Sequence, residues 1–199
     1  MSETDIQEVA NRKRRPLTKE QKSNAKDFHL KRENQIYRDG LTGAYNRRYL
    51  NFKLKELTKE NNKESFTFMI FDLDYFKKLD DTYGHLLADA VLKEMVSVVD
   101  SSIRIGMNDF VARYGGDEFA VVLSPGLKKD KSFQAAERIR DNIEKYRFRI
   151  PGGTTSITIS MGVGVWDGSE SEDTLIQRVD KALYEAKGNG RNSVVLSEN

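Results

Sequence analysis

The chain has 199 residues, of which 38% are hydrophobic and 32% charged, with a formal net charge of +2 and no cysteine. This length is enough for one domain with a sizeable core, and the lack of cysteine excludes disulfides and thiol chemistry. No apolar stretch approaches the roughly 18 residues needed to cross a bilayer, and the amino terminus lacks the apolar segment of a signal peptide, so we expect no membrane insertion and a cytoplasmic location.

Residues 1–38 form a basic extension. They carry ten Lys or Arg against six Asp or Glu, whereas the remainder carries 23 against 25. Nucleic-acid binding by residues 39–199 is therefore not expected, although binding through the extension stays an alternative. The basic run at 12–15 is typical of a solvated tail, and residues 17–38 predict a polar helix. Such a helix could pair with its own copy or with a sensory or regulatory partner.

The domain begins with a predicted helix at 47–61 and a predicted strand at 66–71. The strand sequence, FTFMIF, is apolar almost without interruption, which indicates burial on both faces. It leads directly into Asp72-Leu73-Asp74. Carboxylates that follow a buried strand lie at the carboxyl edge of the sheet, where ligands of α/β sheets usually bind. Apolar residues at helical spacing then predict a second helix at 86–105.

Two apolar runs, at 110–113 and 119–123, flank Gly115-Gly116-Asp117-Glu118 and predict a β-hairpin. For an isolated motif of this kind, a tight turn beside an exposed acid is the simpler explanation. The glycines, however, also let a ligand approach the backbone and leave N–H groups for anionic oxygens. If the hairpin pairs with the earlier strand, Asp72 and Asp117 converge, and such a pair normally shares a proton or holds a cation. Oxygen ligands of this kind suit Mg²⁺, with Mn²⁺ as an alternative.

The remaining elements complete a β-α-β-β-α-β order. A helix is predicted at 131–146, with Phe133, Ala136, Ile139 and Ile143 facing inward, and a strand at 155–166 that alternates less cleanly. Apolar positions between 175 and 186 predict a last helix, and residues 193–196 a closing strand. This order is the split pattern of ferredoxin-like and palm-type folds, an α/β (α+β) class in which we expect helices to cover one face of a mainly antiparallel sheet.

Four motifs in this sequence resemble those of the GGDEF family of diguanylate cyclases. They are DGLTGAYNRR at 39–48, FDLDYFKKLDDTYGHLLAD at 71–89, RYGGDEF at 113–119 and ALYEAKGNGRNSVV at 182–195. The matching region spans most of the chain and implies that residues 39–199 are one catalytic domain with a palm-type fold. The resemblance further implies a Mg²⁺-dependent condensation of two GTP molecules into cyclic di-GMP with release of two pyrophosphates, across a homodimer.

The resemblance also implies a role for each matching residue. Metal binding would involve Asp72, Asp117 and the backbone carbonyl of Leu73. Asp117 would accept the proton of the ribose 3′-hydroxyl, and Glu118 would support the metal site. Contacts with the triphosphate would come from Tyr75, Phe76, Lys77, Lys187 and Arg191, and contacts with the base from Asp80, His85 and Asp89. Structural alternatives are that Lys187 and Arg191 cap helix carbonyls, and that His85 merely starts a helix.

Two positions depart from the family pattern. Asp80 stands where the family usually has asparagine, and an ionised carboxylate cannot donate a hydrogen bond to a base. Altered base selection, including a mixed dinucleotide from ATP and GTP, is therefore a hypothesis, although Asp89 favours guanine. In the stretch Gly106-Met107-Asn108-Asp109, glycine replaces the arginine of the family's Arg-x-x-Asp product-binding motif, and Arg104 lies two residues out of register. We therefore expect little product inhibition through this site.

A second class of function stays open. The domain could bind GTP or cyclic di-GMP as a regulatory module without turnover. The intact acids and lysines of the motifs, among them Asp72, Asp117, Glu118, Lys77 and Lys187, argue against this alternative.

Overall fold

The computed structural model describes residues 36–59, 64–103, 108–125 and 127–198. Apart from Ile36, these residues belong to one compact unit, Tyr37–Asn199. The predicted helix at 17–38 lies almost entirely outside the described residues, so the extension and its boundary stay predictions. Within the described ranges, no helix combines the length and the apolar character that a membrane span requires.

Every strand and helix predicted within the described residues is present, together with three elements that were not predicted: β1, α2 and the β5–β6 hairpin. The elements are, in chain order, β1 (Tyr45–Asn46), α1 (Arg47–Leu57), β2 (Phe66–Leu73), α2 (Phe76–Tyr83), α3 (His85–Ser102), β3 (Phe110–Gly115), β4 (Glu118–Leu123), α4 (Lys129–Lys145), β5 (Phe148–Ile150), β6 (Gly153–Thr155), β7 (Ile159–Trp166), α5 (Glu172–Gly188) and β8 (Val194–Leu196).

A six-stranded sheet has the order β1-β3-β4-β2-β7-β8, and its four central strands are antiparallel. The short edge strands β1 and β8 pair in parallel with β3 and β7. The central strands follow the split β-α-β-β-α-β pattern, so the predicted fold class is confirmed. Because β2 lies between β4 and β7, Asp72 has Glu118 opposite on one side and Ser160 on the other.

Helices cover both faces of the sheet, so the expectation of a single covered face was wrong. Met69 and Phe71 of β2 lie in one apolar core with buried residues of α3 and α4. Phe68 and Ile70 lie in a second core with residues of α1 and α5. The physical reason is present in β2 itself, because a strand that is apolar on both faces needs a cover on each side.

Two glycines of β7 explain its weaker alternation. Ile159, Met161 and Val163 contribute to the core on the α3 and α4 side. On the other side, a Cβ added to Gly162 would lie 2.2 Å from the carbonyl oxygen of Val179, in α5. Because no side chain separates them, α5 packs directly on the backbone of β7. This close approach determines where the carboxyl end of α5 lies relative to the sheet.

Several helices and strands begin or end at residues other than those predicted from the sequence. The first helix ends at Leu57 rather than at residue 61, where both the N–H and the hydroxyl of Thr58 bond to Leu54 O. The second helix ends at Ser102, because Ile103 has an extended backbone. The strand expected from residue 155 begins at Ile159, since the preceding residues form the separate β5–β6 hairpin.

Phe133 is 37% exposed, so its predicted inward orientation was wrong, whereas Ala136, Ile139 and Ile143 are buried as expected. The neighbouring Ser132 is fully buried and its hydroxyl lies 2.8 Å from Thr67 Oγ1 of β2. This polar contact gives Ser132 the inward position on α4 and leaves Phe133 at the edge.

Candidate active site

The predicted hairpin is present, and a two-residue turn, Gly116-Asp117, forms its tip. Gly115 pairs with Glu118 across the turn. Gly116 has a positive φ of 57°, the conformation that a type II′ hairpin turn requires at its first central residue. A Cβ added to either glycine would meet nothing within 4 Å. The space beside this backbone is therefore open to a ligand, and Asp117 stands at its border.

Hydrogen bonds from Arg113 connect this turn to the start of the domain. Its Nε donates to Gly116 O at 2.9 Å, and its Nη1 donates to Asp39 Oδ1 at 3.2 Å. Although burial opposes the shift, hydrogen bonds from Thr42 and the charge of Arg113 lower the pKa of Asp39. No role was predicted for Arg113 or Asp39, although both lie within motifs that resemble those of the family.

Three of the predicted acids lie near one another at the end of β2. Asp72 is opposite Glu118 in the register of β2 and β4, and Asp117 directly precedes Glu118. Burial raises the pKa of Asp72, and the negative charges of Asp117 and Glu118 raise it further, against a hydrogen bond from Lys187 that lowers it. The β2–β4 pairing therefore brings the acids of two separate motifs into electrostatic contact.

The donor set at this edge fits a hard divalent cation. Carboxylate oxygens of Asp72 and Asp117 are the ligands that Mg²⁺ and Mn²⁺ prefer. Within the part of the chain that the structure describes, no three His, Cys, Asp or Glu side chains are arranged as a metal-binding group. The ammonium of Lys187 lies 3.0 Å from Asp72 Oδ2, so this carboxylate already has a cationic partner. Leu73 is the buried last residue of β2, and its role as a carbonyl ligand stays a prediction.

The residues predicted to contact phosphates come from two places. Phe76 and Lys77 begin α2, whose first N–H groups have no partner within the helix. Tyr75 precedes them in a left-handed conformation without a side-chain cap. Lys187 stands in the last turn of α5, and Arg191 follows that helix with its guanidinium 4.7 Å from the centre of the Tyr75 ring. Arg191 thus lies next to the start of α2.

The capping alternative for the two basic residues is not what the structure has. The backbone N–H of Arg191, rather than its side chain, bonds to Ala186 O at 3.2 Å. The side chains of Lys187 and Arg191 contact Asp72 and Tyr75 instead. Both cationic groups therefore face the cluster of predicted site residues.

Asp74, to which the sequence analysis gave no role, connects three segments. It is 6% exposed, and its carboxylate accepts hydrogen bonds from the hydroxyls of Thr158 and Ser160 and from the backbone N–H of Asn192. The donors lie 84 to 118 residues away in the chain. The only sequence signal for this role was an acid directly after a buried strand.

The residues predicted to contact the base lie around the junction of α2 and α3. His85 is the first residue of α3, and its Nδ1 lies 2.7 Å from Asp80 Oδ1. Among the described residues, no donor forms a hydrogen bond with this buried oxygen, so His85 is near it without satisfying it. Asp89 is half-buried one turn further along α3. His85 is thus both the start of a helix and the partner of Asp80.

Asp109, the last residue of the altered product-binding motif, has a structural partner. Its Oδ1 accepts the backbone N–H of Ser124 at 2.9 Å. Arg104, Gly106 and Met107 lie outside the described residues, so the effect of the missing arginine stays a prediction.

Comparison with known proteins agrees with these observations. The family model described as "Diguanylate cyclase, GGDEF domain" matches residues 36–193. Diguanylate cyclase A of Treponema denticola is 41% identical over 138 residues, which are 69% of this chain and 36% of that protein. Probable diguanylate cyclase DgcT of Escherichia coli is 38% identical over 172 residues, 83% of this chain and 37% of that protein. The chain therefore spans little more than a third of these curated relatives.

Solved structures resemble the fold as well. Diguanylate cyclase SiaD of Pseudomonas aeruginosa, solved with its activator SiaC, has a TM-score of 0.79 at 29% identity, over 98% of this chain and 71% of that one. The coiled coil and GGDEF domain of DgcB from Caulobacter crescentus, solved with c-di-GMP, has a TM-score of 0.78 at 26% identity, over 88% of this chain and 93% of that one.

Proposed function

This chain belongs to the GGDEF domain family, and from that premise we propose that it is a diguanylate cyclase that condenses two GTP molecules into cyclic di-GMP and two pyrophosphates. The observation that carries the proposal is the meeting of Asp72 with Asp117 and Glu118 across β2 and β4, beside the open backbone of the two glycines. An acidic cluster next to unhindered N–H groups suits a phosphate chain together with its cation.

In each condensation step, the 3′-oxygen of one nucleotide forms a bond to the α-phosphorus of the other. The bond from that phosphorus to the bridging oxygen of the β-phosphate breaks, and pyrophosphate leaves with the electron pair. Asp117, half-buried at the tip of the hairpin, accepts the proton of the 3′-hydroxyl. Glu118 stands beside it and opposite Asp72. A divalent cation held by Asp72, Asp117 and the Leu73 carbonyl would neutralise charge on the phosphates when bound.

The triphosphate lies between the start of α2 and the end of α5. Backbone N–H groups at Tyr75 and Phe76 and the ammonium of Lys77 approach it from one side. Lys187 and Arg191 approach from the other, as their positions beside Asp72 and Tyr75 support. The guanine base contacts Asp89, whose carboxylate can accept both donors of the guanine edge. Asp80 and His85 lie at the same junction of helices.

One domain binds one GTP, so catalysis requires two domains that face each other in a homodimer. Residues 1–38 are the proposed route by which a sensory or regulatory partner controls this dimer.

We place the reaction in the cytoplasm, where GTP is available. Product inhibition through the altered motif is weak, because glycine stands at 106 where a guanidinium would bind the product.

The test is to incubate the full chain with GTP, ATP and Mg²⁺ and to identify the products by mass spectrometry. We expect cyclic di-GMP, its loss in Asp117→Ala, and its persistence in Asp130→Ala, which removes an exposed acid on α4. GTP binding without any dinucleotide would indicate a regulatory module instead. A mixed product from ATP and GTP is the second candidate, which Asp80 favours because its carboxylate does not donate to the base.

A further inference from the structure

Among the described residues, the non-glycine residues with a positive φ are Tyr75, Arg191 and Asn192, at 58°, 67° and 45°. They lie together in space although 116 positions separate the first from the second in the chain. The guanidinium of Arg191 lies over the Tyr75 ring, and the N–H of Asn192 donates to the carboxylate of Asp74. Asp74 and Tyr75, which precede α2, thus contact Asn192 and Arg191, which follow α5. Left-handed backbone in such residues persists where the surrounding structure enforces it, often at functional sites.

We propose that Asp74 and Tyr75 form a clamp that positions Arg191 to receive the triphosphate. The inference rests on the proposed function, since it concerns the phosphate side of the same site. Tyr75 and Asp74 act here through Arg191 and are positioning residues, in addition to the backbone contact proposed for Tyr75.

Asp74 fixes the backbone of the turn that carries Arg191. The N–H of Asn192 donates to Asp74 Oδ2 at 3.0 Å, and the hydroxyl of Thr158 donates to the same oxygen at 2.8 Å. The other oxygen, Oδ1, accepts from Ser160 at 2.7 Å. Because Asp74 is 6% exposed and follows the central strand, this anchor has little freedom to move. The turn is therefore held from the sheet side.

Asn192 also ties the turn to α4. Its side-chain oxygen accepts from Arg140 Nη1 at 2.8 Å, and its side-chain nitrogen donates to Glu144 Oε1 at 2.8 Å. Arg140 and Glu144 pair with each other at 2.6 Å. With the backbone of residue 192 held on both sides, the direction in which Arg191 leaves the turn is fixed as well.

Tyr75 then selects the orientation of the guanidinium. Tyr75 is 63% exposed, and the centre of its ring lies 4.7 Å from the guanidinium carbon of Arg191. A cation–π contact uses the face of the ring and none of the N–H hydrogen-bonding capacity of the guanidinium, so these groups stay available to oxygens. The contact with Tyr75 therefore leaves the donors of Arg191 free for a phosphate while it limits the rotation of a long side chain. The Arg191 side chain therefore loses conformational entropy before the nucleotide binds rather than during binding.

The experiment is a double-mutant cycle on the affinity of the full chain for the Mg²⁺ complex of α,β-methylene GTP, measured by calorimetry. Tyr75→Leu removes the aromatic face but keeps a bulky residue, so the left-handed backbone is not relieved as it would be by glycine. We expect this change to weaken binding by about two- to five-fold, the worth of an exposed cation–π contact. In an Arg191→Ala background we expect the same change to have no effect.

Two controls separate positioning from a general structural role. Tyr75→Phe keeps the ring and should retain the coupling to Arg191. GMP lacks the β- and γ-phosphates, so its affinity should not respond to Tyr75→Leu. Equal losses from Tyr75→Leu with and without Arg191, or no loss at all, would overturn the clamp while leaving the cyclase proposal intact. If the wild-type chain does not bind the GTP analogue, both proposals are wrong.

Discussion

The ammonium nitrogen of Lys187 lies 3.0 Å from Asp72 Oδ2 and thereby joins the last turn of α5 to the end of β2. The family resemblance implied different roles for these two residues. The lysine would bind the phosphates of the substrate, and the aspartate would bind the cation. Their pairing shows that the two groups are within direct reach of each other. A bound nucleotide with its cation would offer each of them a new partner of opposite charge.

The first prediction concerns the effect of the buried Asp72 charge on the stability of the folded protein. Its pKa is raised by burial and by Asp117 and Glu118 despite the hydrogen bond from Lys187, so the folded state disfavours the ionised form. Asp72→Asn should therefore stabilise the metal-free protein at pH 7 and raise its Tm. Chemical and thermal unfolding in the presence of a chelator measure this difference, even though the variant should be inactive.

The pH dependence of that gain has a definite sign. A carboxyl group whose pKa is higher in the folded state contributes stability that is complete below its unfolded value and is lost as the pH rises through the folded value. The advantage of Asp72→Asn should therefore disappear as the pH falls below 3.8, the ordinary pKa of an aspartate, and grow towards neutral pH. The exposed acid Asp81 offers a matched control, since Asp81→Asn removes a charge that is not buried and should not raise Tm. A variant less stable than wild type at pH 7 would contradict the prediction.

The second prediction concerns the contact between α5 and the sheet. Gly162→Ala would place a Cβ 2.2 Å from Val179 O and 2.6 Å from Leu183 N, both of which are backbone atoms that cannot rotate away. The helix would have to move outward, at a cost of about 1–3 kcal/mol, or about 2–12 °C in Tm. Since α5 carries Lys187, this displacement should also lower the affinity for GTP.

Gly40→Ala is the control for that change. A Cβ at Gly40 would meet nothing within 4 Å, and its φ is not positive. Its effect on Tm should therefore be small. If the two alanine variants melt at the same temperature, close packing of α5 on β7 does not limit stability.

The sequence predicted the parts of the fold and site that depend on short stretches. The run FTFMIF indicated a strand buried on both faces, and the Gly-Gly turn between apolar runs indicated the hairpin. Once these two pair, the approach of Asp72 to Glu118 follows from register alone. The same run needs cover on both faces of the sheet, although helices were expected on one face only, and which helix covers which face depends on how the chain crosses between strands.

Contacts between distant segments could not be predicted in this way. The partners of Asp74 come from β7 and from the turn after α5, and nothing in the local sequence selects them. The weak alternation of residues 155–166 gave no indication that the backbone of Val179 would lie against Gly162. Ser132 likewise turned Phe133 outward through a hydroxyl contact with a residue 65 positions away.

The third prediction concerns base selection. The Oδ1 atom of Asp80 lies 2.7 Å from His85 Nδ1, and an ionised carboxylate cannot donate a hydrogen bond to a base. Asp80→Asn introduces an amide that donates as well as accepts, so it should raise the preference for GTP over ATP by about two- to ten-fold, the worth of one hydrogen bond. Competition between the two nucleotides, with the dinucleotides counted by mass spectrometry, measures that ratio.

The neighbouring acid provides the comparison for this variant. Asp81→Asn removes an exposed charge one position away and should leave the ratio unchanged. An unaltered affinity and selectivity in Asp80→Asn would show that this side chain does not contact the base.

The last prediction concerns product inhibition. Asp109 remains in the altered motif, and its carboxylate accepts the N–H of Ser124, which follows β4. Because this contact is structural, Asp109→Ala should lower stability by about 1–3 kcal/mol, the cost of leaving a partly buried N–H without an acceptor. It should not change the response to product, since glycine at 106 cannot form the two parallel hydrogen bonds by which an arginine would hold a phosphate or a guanine. Initial rates at increasing cyclic di-GMP, for wild type and Asp109→Ala, provide the measurement. Submicromolar inhibition that disappears in Asp109→Ala would mean that the aspartate binds product without its arginine.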